Sequence, residues 1–446
     1  MGNRRYQAIV EQLAEQIRSG ERPPGSRLPT HRQLATDQGV ALVTASRAYA
    51  ELEKIGLVSS ETGRGTFVRD RSLPLTHGID QHANIAGSID LNFNSPALPE
   101  QTELLRDGLR RLISGGDLEA LLHYQPHAGR DHERAIVASH LRQRGLSPSA
   151  DQVLLVSGAQ HALALSAMTL LQPGELIACD SLIYPGFKAV CEACHLQITA
   201  LNPAQQGPDL DQLEQLCQQR NLKAIYTMPT LHNPLGWVMP LEQREHLVQL
   251  ARTYDLLIIE DAAYAYLEDD APAPLAALAP ERTLYCSGLS KSVATGLRLG
   301  FLVAPPHQVG QLERSIRATT WNTPGLLTAL GCQWIEDGTV ARLEHEKRKD
   351  AQTRQALARE ILRGLNYRSH PNAYFIWLTL PEEVRADQVA AELQQTGISV
   401  STAEPYAVSP HVPHALRLAL GSVDLATLRV ALETVRRVIE QQAYGL

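Results

Sequence analysis

The stretch "CSGLSKSVATGLRLGFLVAP", residues 286–305, sets one lysine, Lys291, in a polar turn between two apolar runs. "TLYCSG" (283–288) enters the turn and "LGFLVAP" (299–305) leaves it. Both runs are short and flanked by Gly or Pro, as buried strands are. The same punctuation recurs outward. "QVLLVS" (152–157) reads as a strand, and "GAQHALALSAMTLL" as a helix that ends at Pro173-Gly174. "ELIACD", "ITAL" and "AIYTMP" are further strands, and the amphipathic "EHLVQLARTYD" leads into "LLIIED" (256–261). Strands that alternate with helices form a mostly parallel central sheet, because parallel neighbours need a crossover between them. The expected body is therefore α/β, beginning near Ile89.

In such a sheet, functional groups gather beyond the carboxyl ends of the strands. That rule selects five places: Ser157-Gly158, Tyr184, Asn233, Asp261 and the turn Ser287–Lys291. Singly, each has an ordinary reading as a tight turn, a surface acid or a solvated lysine. Together, in chain order and all at strand ends, they point to one site.

Ahead of the body lies a different pattern. Ile9, Leu13 and Ile17 recur at helical spacing, and the run stops at Ser19-Gly20 and Pro23-Pro24. Thr30 is placed to cap a second helix that ends at Gly39, and "VALVTASRAYAELEKIG" reads as a third, closed by Gly56. "LVSSETGRGTFV" then alternates and turns at Gly63 and Gly65, as a two-stranded wing does. Three short helices and a hairpin in residues 1–70 make a winged helix-turn-helix. Residues 71–88 have mixed polarity and no period, and read as a short linker.

Composition agrees with a soluble protein of more than one domain. The chain has 446 residues, 44% hydrophobic and 20% charged. It has no apolar run long enough to span a membrane and no signal-peptide core, so a cytoplasmic location is expected. The net charge of −7 is uneven: residues 1–70 carry ten Lys and Arg against eight Asp and Glu, the remainder 31 against 40. A basic head on an acidic body fits a nucleic-acid contact. Six cysteines in a chain this long are no disulfide framework. "CEACH" (191–195) has the spacing of a haem attachment site, but with no export signal it reads better as a core cysteine pair, and no metal site is expected.

Two resemblances follow from these residues. "PPGSRLPTHRQLA", "ASRAYAELEKIGLV" and "GRGTFV" resemble the DNA-binding domain of the GntR family of bacterial regulators over residues 5–69. The resemblance implies that Thr30 and Arg32 open the motif near DNA phosphates. It puts Thr44, Ser46 and Arg47 on the recognition helix and Arg64 and Thr66 on the wing, all toward double-stranded operator DNA. Where that family has Ser-Arg ahead of the Thr, this chain has Ala41-Leu42.

Residues 89–446 resemble the fold type I aminotransferases, which depend on pyridoxal 5'-phosphate (PLP), and the resemblance implies a large subdomain at about 135–320 and a smaller C-terminal one at about 321–446. The resemblance makes Lys291 the cofactor's attachment point as an internal aldimine, and Asp261 the carboxylate on its ring nitrogen. Tyr264 and Asn233 fall beside its 3-oxygen, and Tyr184 stacks on the ring. Gly158, Ala159 and Gln160 open a helix toward its phosphate, joined there by Ser290 and Arg298. Tyr124 resembles the tyrosine that reaches the phosphate from a partner subunit, and Arg417 the arginine that holds an amino acid's carboxylate. The chain departs from the pattern at Ser287-Gly288, whose order is inverted, and at Glu133, where a leucine is usual. A GntR head on such a body resembles the MocR subfamily. That implies a homodimeric, PLP-dependent transcription regulator sensing an amino compound or PLP itself. A working aminotransferase, moving an amino group between an amino acid and a 2-oxo acid, is the alternative.

Overall fold

The computed structural model describes residues 2–18, 21–23, 25–54, 56–61, 65–69, 88–96, 98, 100–115, 118–409 and 412–444. Arg64 of the expected wing and nearly all of the expected linker lie outside these residues.

The head folds as its periodicity requires. Helix Gly2–Arg18 turns Ile9, Leu13 and Ile17 into a core completed by Leu34, Ala45, Ala48, Tyr49 and Leu52. Helix His31–Asp37 begins at a full capping box: Thr30 Oγ1 accepts from Gln33 N at 3.2 Å, and Thr30 N donates to Gln33 Oε1 at 2.9 Å. Helix Leu42–Lys54 follows, then strands Val58–Glu61 and Gly65–Val68, antiparallel with Val58 opposite Val68.

The body holds a seven-stranded sheet. Its spatial order is Val153–Val156, Gly300–Val303, Thr283–Gly288, Leu257–Asp261, Leu222–Thr227, Leu176–Asp180 and Gln197–Leu201. Only Gly300–Val303 runs against its neighbours; the other pairings are parallel. Except at the edge strand Gln197–Leu201, these strands are buried on both faces and read as near-continuous apolar runs. A second, antiparallel sheet runs in the order Asn366–Arg368, Phe375–Thr379, Ala415–Ala419, Ser401–Thr402. It shares a core with helices Ala386–Gln395 and Leu425–Tyr444.

Two features refine the expected layout. Ile89–Asp90 pairs in parallel with Ile398–Ser399, and Leu91 is buried in the C-terminal core. The first residues of the body thus belong structurally with its last. Helix Gly325–Glu336 packs on Asp131–Leu141 through Leu330, Trp334 and Val137. The long helix Thr339–Ile361 then runs from that cluster, at Val340 and Leu343, into the C-terminal core at Ala358 and Ile361. The two cores are bridged along this helix.

Candidate functional site

A cavity of about 740 Å³ opens beyond the carboxyl ends of the parallel strands. The expected Ala159, Gln160, Tyr184, Asn233, Asp261, Tyr264, Ser290, Lys291, Arg298 and Arg417 all line it. Lys291 lies on the one-turn helix Leu289–Ser292, and its Nζ donates to the carbonyl of Asn94 at 2.7 Å. Its own carbonyl accepts from Tyr266 Oη at 2.9 Å and from the buried Lys347 Nζ at 3.2 Å, which fixes the turn from behind. Asp261 ends its strand inside the protein and accepts from Ala263 N at 3.1 Å and Tyr226 Oη at 3.0 Å. Burial pushes its carboxyl up to about 6, against the pull of those two donors. Tyr264 is buried, which alone would raise its phenol. The cations of Lys291 and Arg417, with hydrogen bonds from Asn94 and Arg417, outweigh burial and hold it below the usual range. Burial and the nearby Asp261 push Tyr184 up to about 12, so its phenol stays neutral.

Arg417 points inward from the strand Ala415–Ala419. It donates to Asn92 O at 2.7 Å, reaches Asn233 Oδ1 at 3.5 Å, and lies over the Phe375 ring at 5.0 Å. Its Nε is buried with no partner, as are Asn92 Oδ1 and Gln160 Oε1, all on cavity-lining residues. Three such atoms at one cavity need a polar ligand, because an unpaired buried polar group costs roughly 1–3 kcal/mol. At the other end Gly158, with φ +90°, opens helix Ala159–Leu170, whose first amides have no intrahelical acceptor. Arg298 adopts a left-handed backbone, φ +49°, which sets its guanidinium between Ser157 O and Ser290 Oγ, each at 3.3 Å. A helix N-terminus, an arginine and a serine hydroxyl form an anion cradle. A group with a phosphate, a cationic ring nitrogen and an aldehyde fits these residues at Arg298, Asp261 and Lys291 respectively.

Tyr124 lies outside this cavity, exposed and tilted against Trp321 at 5.4 Å. Asn92 and Asn94, which line the cavity and hold Arg417 and Lys291, were not singled out in the sequence; "DLNFNSP" (90–96) offers only an asparagine pair after a short strand.

On the head, Arg32 and Arg47 are exposed, and Arg47 lies 4.3 Å over the Tyr6 ring. Thr44 is half-buried, and Ser46 Oγ pairs with His31 Nδ1 at 2.9 Å, which ties the recognition helix to the helix before it. Thr66 corrects the expectation for the wing. It is 4% exposed, because the alternation of Gly65–Val68 turns Thr66 and Val68 inward together.

Comparison with known proteins matches residues 86–435 to the family model "Aminotransferase class I and II". The chain belongs to the aminotransferase class I and II family. Ahead of this match, residues 5–68 fit the model of bacterial regulatory proteins of the gntR family, so the two parts stand in the MocR order. The whole chain is similar to the uncharacterized HTH-type transcriptional regulator YdeF of Bacillus subtilis, 28% identical over 98% of this chain and 94% of that protein. It is also similar to YjiR of Escherichia coli, another uncharacterized HTH-type transcriptional regulator, 26% identical over 98% of each. The 2-aminoadipate transaminase of Thermus thermophilus is also similar, 27% identical over 74% of this chain and 84% of its own. The fold matches the crystal structure of LysN from Thermus thermophilus, an alpha-aminoadipate aminotransferase complexed with N-(5'-phosphopyridoxyl)-L-leucine. That match has a TM-score of 0.73 at 23% identity and covers 81% of this chain and 94% of that one.

Both departures from the aminotransferase pattern have local explanations. Ser287 is buried and donates to Ala262 O at 3.2 Å, while Gly288 and Ser290 face the cavity. Glu133 is buried but satisfied: it pairs with Arg130 at 2.6 Å and accepts from Thr328 Oγ1 at 2.8 Å.

Proposed function

We propose that this chain is a PLP-dependent, DNA-binding transcription regulator of the cytoplasm, active as a homodimer. One observation carries the reading. Lys291, Asp261, Arg298 and Arg417 border a single cavity in a chain that begins with a winged helix-turn-helix. Residues 1–70 form the DNA-contacting unit, 71–88 the linker and 89–446 the effector unit. PLP, when bound, supplies an electron sink for amino compounds. The chain's own residues bind and orient. Lys291 is the attachment point, and Asp261 holds a proton on the ring nitrogen. Ala159, Gln160, Ser290 and Arg298 take the phosphate, and Asn233 and Tyr264 face the ring oxygen. Arg417, with its buried and unpartnered Nε, takes the carboxylate of an amino-compound effector. That compound regulates only if it binds two states of the body with different affinity.

Purified with PLP, the protein shows the visible absorption of a lysine-bound cofactor, and Lys291→Ala abolishes it. No such band in the wild type would end the cofactor reading. Arg47→Ala weakens binding to the operator upstream of the regulated gene; unchanged binding to every duplex would end the recognition-helix reading. The complete set of Lys291, Asp261 and Arg417 also favours a second reading, an aminotransferase. Turnover of an amino acid with a 2-oxo acid at the rate of a dedicated enzyme, roughly 1–10³ s⁻¹, would establish it. N-(5'-phosphopyridoxyl)-L-leucine, which LysN binds, joins phosphate, ring and carboxylate in one stable molecule and is a suitable probe of the whole cavity.

A further inference from the structure

The head is held on the C-terminal part of the body by a compact polar clasp. Arg69, at the foot of the wing, forks onto Glu404: one Nη donates to Oε1 at 2.9 Å and the other meets Oε2 at 2.8 Å. Arg385, which precedes helix Ala386–Gln395, places its guanidinium 4.1 Å over the Phe67 ring and donates to Ser59 Oγ at 3.3 Å. Asp387 steadies that guanidinium at 3.1 Å. A two-pronged arginine–carboxylate pair fixes orientation as well as distance, and a cation over a ring adds a second, differently directed restraint.

The reading face stays open in this arrangement. Leu42 and Val43, at the start of the recognition helix, are 47% and 79% exposed, and Arg47 is exposed. The clasp therefore does not block DNA. It sets the angle at which the recognition helix is presented, and for paired half-sites that angle decides whether both heads can engage.

Glu404 is also tied to the cavity by two short routes. Along one, Arg417 stands opposite Ser401 and Leu416 opposite Thr402 in the antiparallel ladder, and Ala403 N donates to Ala415 O at 3.1 Å. Glu404 is the next residue. Along the other, Tyr406 lines the cavity two residues beyond Glu404. Its carbonyl accepts from Ile183 N at 2.9 Å, and Val408 N donates to Ser181 O at 3.0 Å. Segment 401–408 is thus stitched to the Arg417 strand on one side and to the loop before Tyr184 on the other. Any shift between those two walls is delivered to Glu404.

We propose that the Arg69–Glu404 pair, with Arg385 on Phe67, is the contact through which occupancy of the cavity sets the orientation of the DNA-binding head. The inference rests on the proposed function for its ligand, but the docking contact can be tested without one.

Hydrogen–deuterium exchange on the full chain reads both parts. With no ligand, Glu404→Gln and Arg69→Gln each speed exchange in the peptide spanning Gly65–Arg69 by roughly fivefold, as loss of one partly buried pair frees the wing locally. The charge-reversed double variant, Arg69→Glu with Glu404→Arg, returns it toward the wild-type rate. Equal exchange in wild type and both single variants would overturn the clasp. With N-(5'-phosphopyridoxyl)-L-leucine added, the same peptide changes its exchange in the wild type and not in the single variants, which still bind the probe because neither residue lines the cavity. A response that persists in both single variants would overturn the transmission role. A wild type that fails to bind the probe would refute the cavity reading instead, and the ligand-free arm would still decide the clasp.

Discussion

Asp261 is the residue whose environment most directly tests the cofactor reading. Its carboxyl is raised from 3.8 to about 6 because it is buried with only two donors. The folded, cofactor-free protein therefore binds this proton more tightly than the unfolded chain does. The stability that follows is present at low pH and is lost as pH rises from about 4 through about 6. Asp261→Asn removes that loss, so the variant's Tm without cofactor rises relative to wild type at about pH 8, where the wild-type residue is charged, and not at about pH 4. Cofactor binding has the opposite sign. A cationic ring nitrogen needs the carboxylate, so wild-type affinity is full above about 6 and falls about tenfold per pH unit below it. Asp261→Asn binds weakly with no such fall. Titrating PLP into both proteins across this range checks it; parallel pH profiles would refute the assignment. Asp261 itself was legible in the sequence because it ends an apolar run at a predictable strand end. Glu133 was not, since one partner, Thr328, lies 195 positions away and no local pattern announces it. Thr66 could have been read correctly, because the period of two that places Phe67 outward turns its neighbour in.

At the scale of elements, the turn from strand Val153–Val156 into helix Ala159–Leu170 carries the phosphate end of the cavity. A Cβ at Gly158 would lie 2.7 Å from an Arg298 nitrogen, and one at Gly300 would lie 2.4 Å from the Gly158 carbonyl carbon. The two glycines let an antiparallel strand press against the helix start. The consequences of filling them differ. Gly158→Ala meets the end of a flexible arginine and a backbone at φ +90°, so it displaces Arg298 and lowers PLP affinity about tenfold or more while the fold persists. Gly300→Ala meets backbone, and destabilises the whole sheet by about 2–3 kcal/mol. PLP titration together with thermal unfolding separates the two; equal loss of Tm in both would contradict the geometry. The alternating elements were readable because parallel strands buried on both faces leave unbroken apolar runs. The entry segment was not. Ile89–Asp90 is a two-residue strand whose partner, Ile398–Ser399, lies some three hundred positions on, so neither period nor length marks it. That is why Asn92 and Asn94, positioned by that pairing, escaped notice although they hold Arg417 and Lys291.

For the whole molecule, the unsettled surface lies around Tyr124. Leu122 and Tyr124 are 86% and 84% exposed, and Ile113, Trp321 and Leu326 are exposed as well. Tyr124 leans on Trp321, so these two rings form one exposed apolar patch, with Leu122 two residues before Tyr124 in the chain. A second copy of the chain would bury it and bring Tyr124 to a cavity that its own chain does not let it reach. Two cavities and two heads would then be assembled by one contact. Leu122→Glu, which puts a charge in the middle of that contact, is expected to convert a dimer to a monomer in sedimentation experiments. PLP affinity falls with it, and binding to a paired operator drops about 10²-fold or more while a single half-site is bound as before, because only the linked pair of heads gains from effective concentration. Tyr124→Phe separates the two roles: it leaves the dimer and the paired-operator affinity of the cofactor-free protein intact and weakens PLP alone. A Leu122→Glu protein that still sediments as a dimer, or a wild type that is monomeric at the concentrations where it binds paired sites, would show that this face serves some other contact.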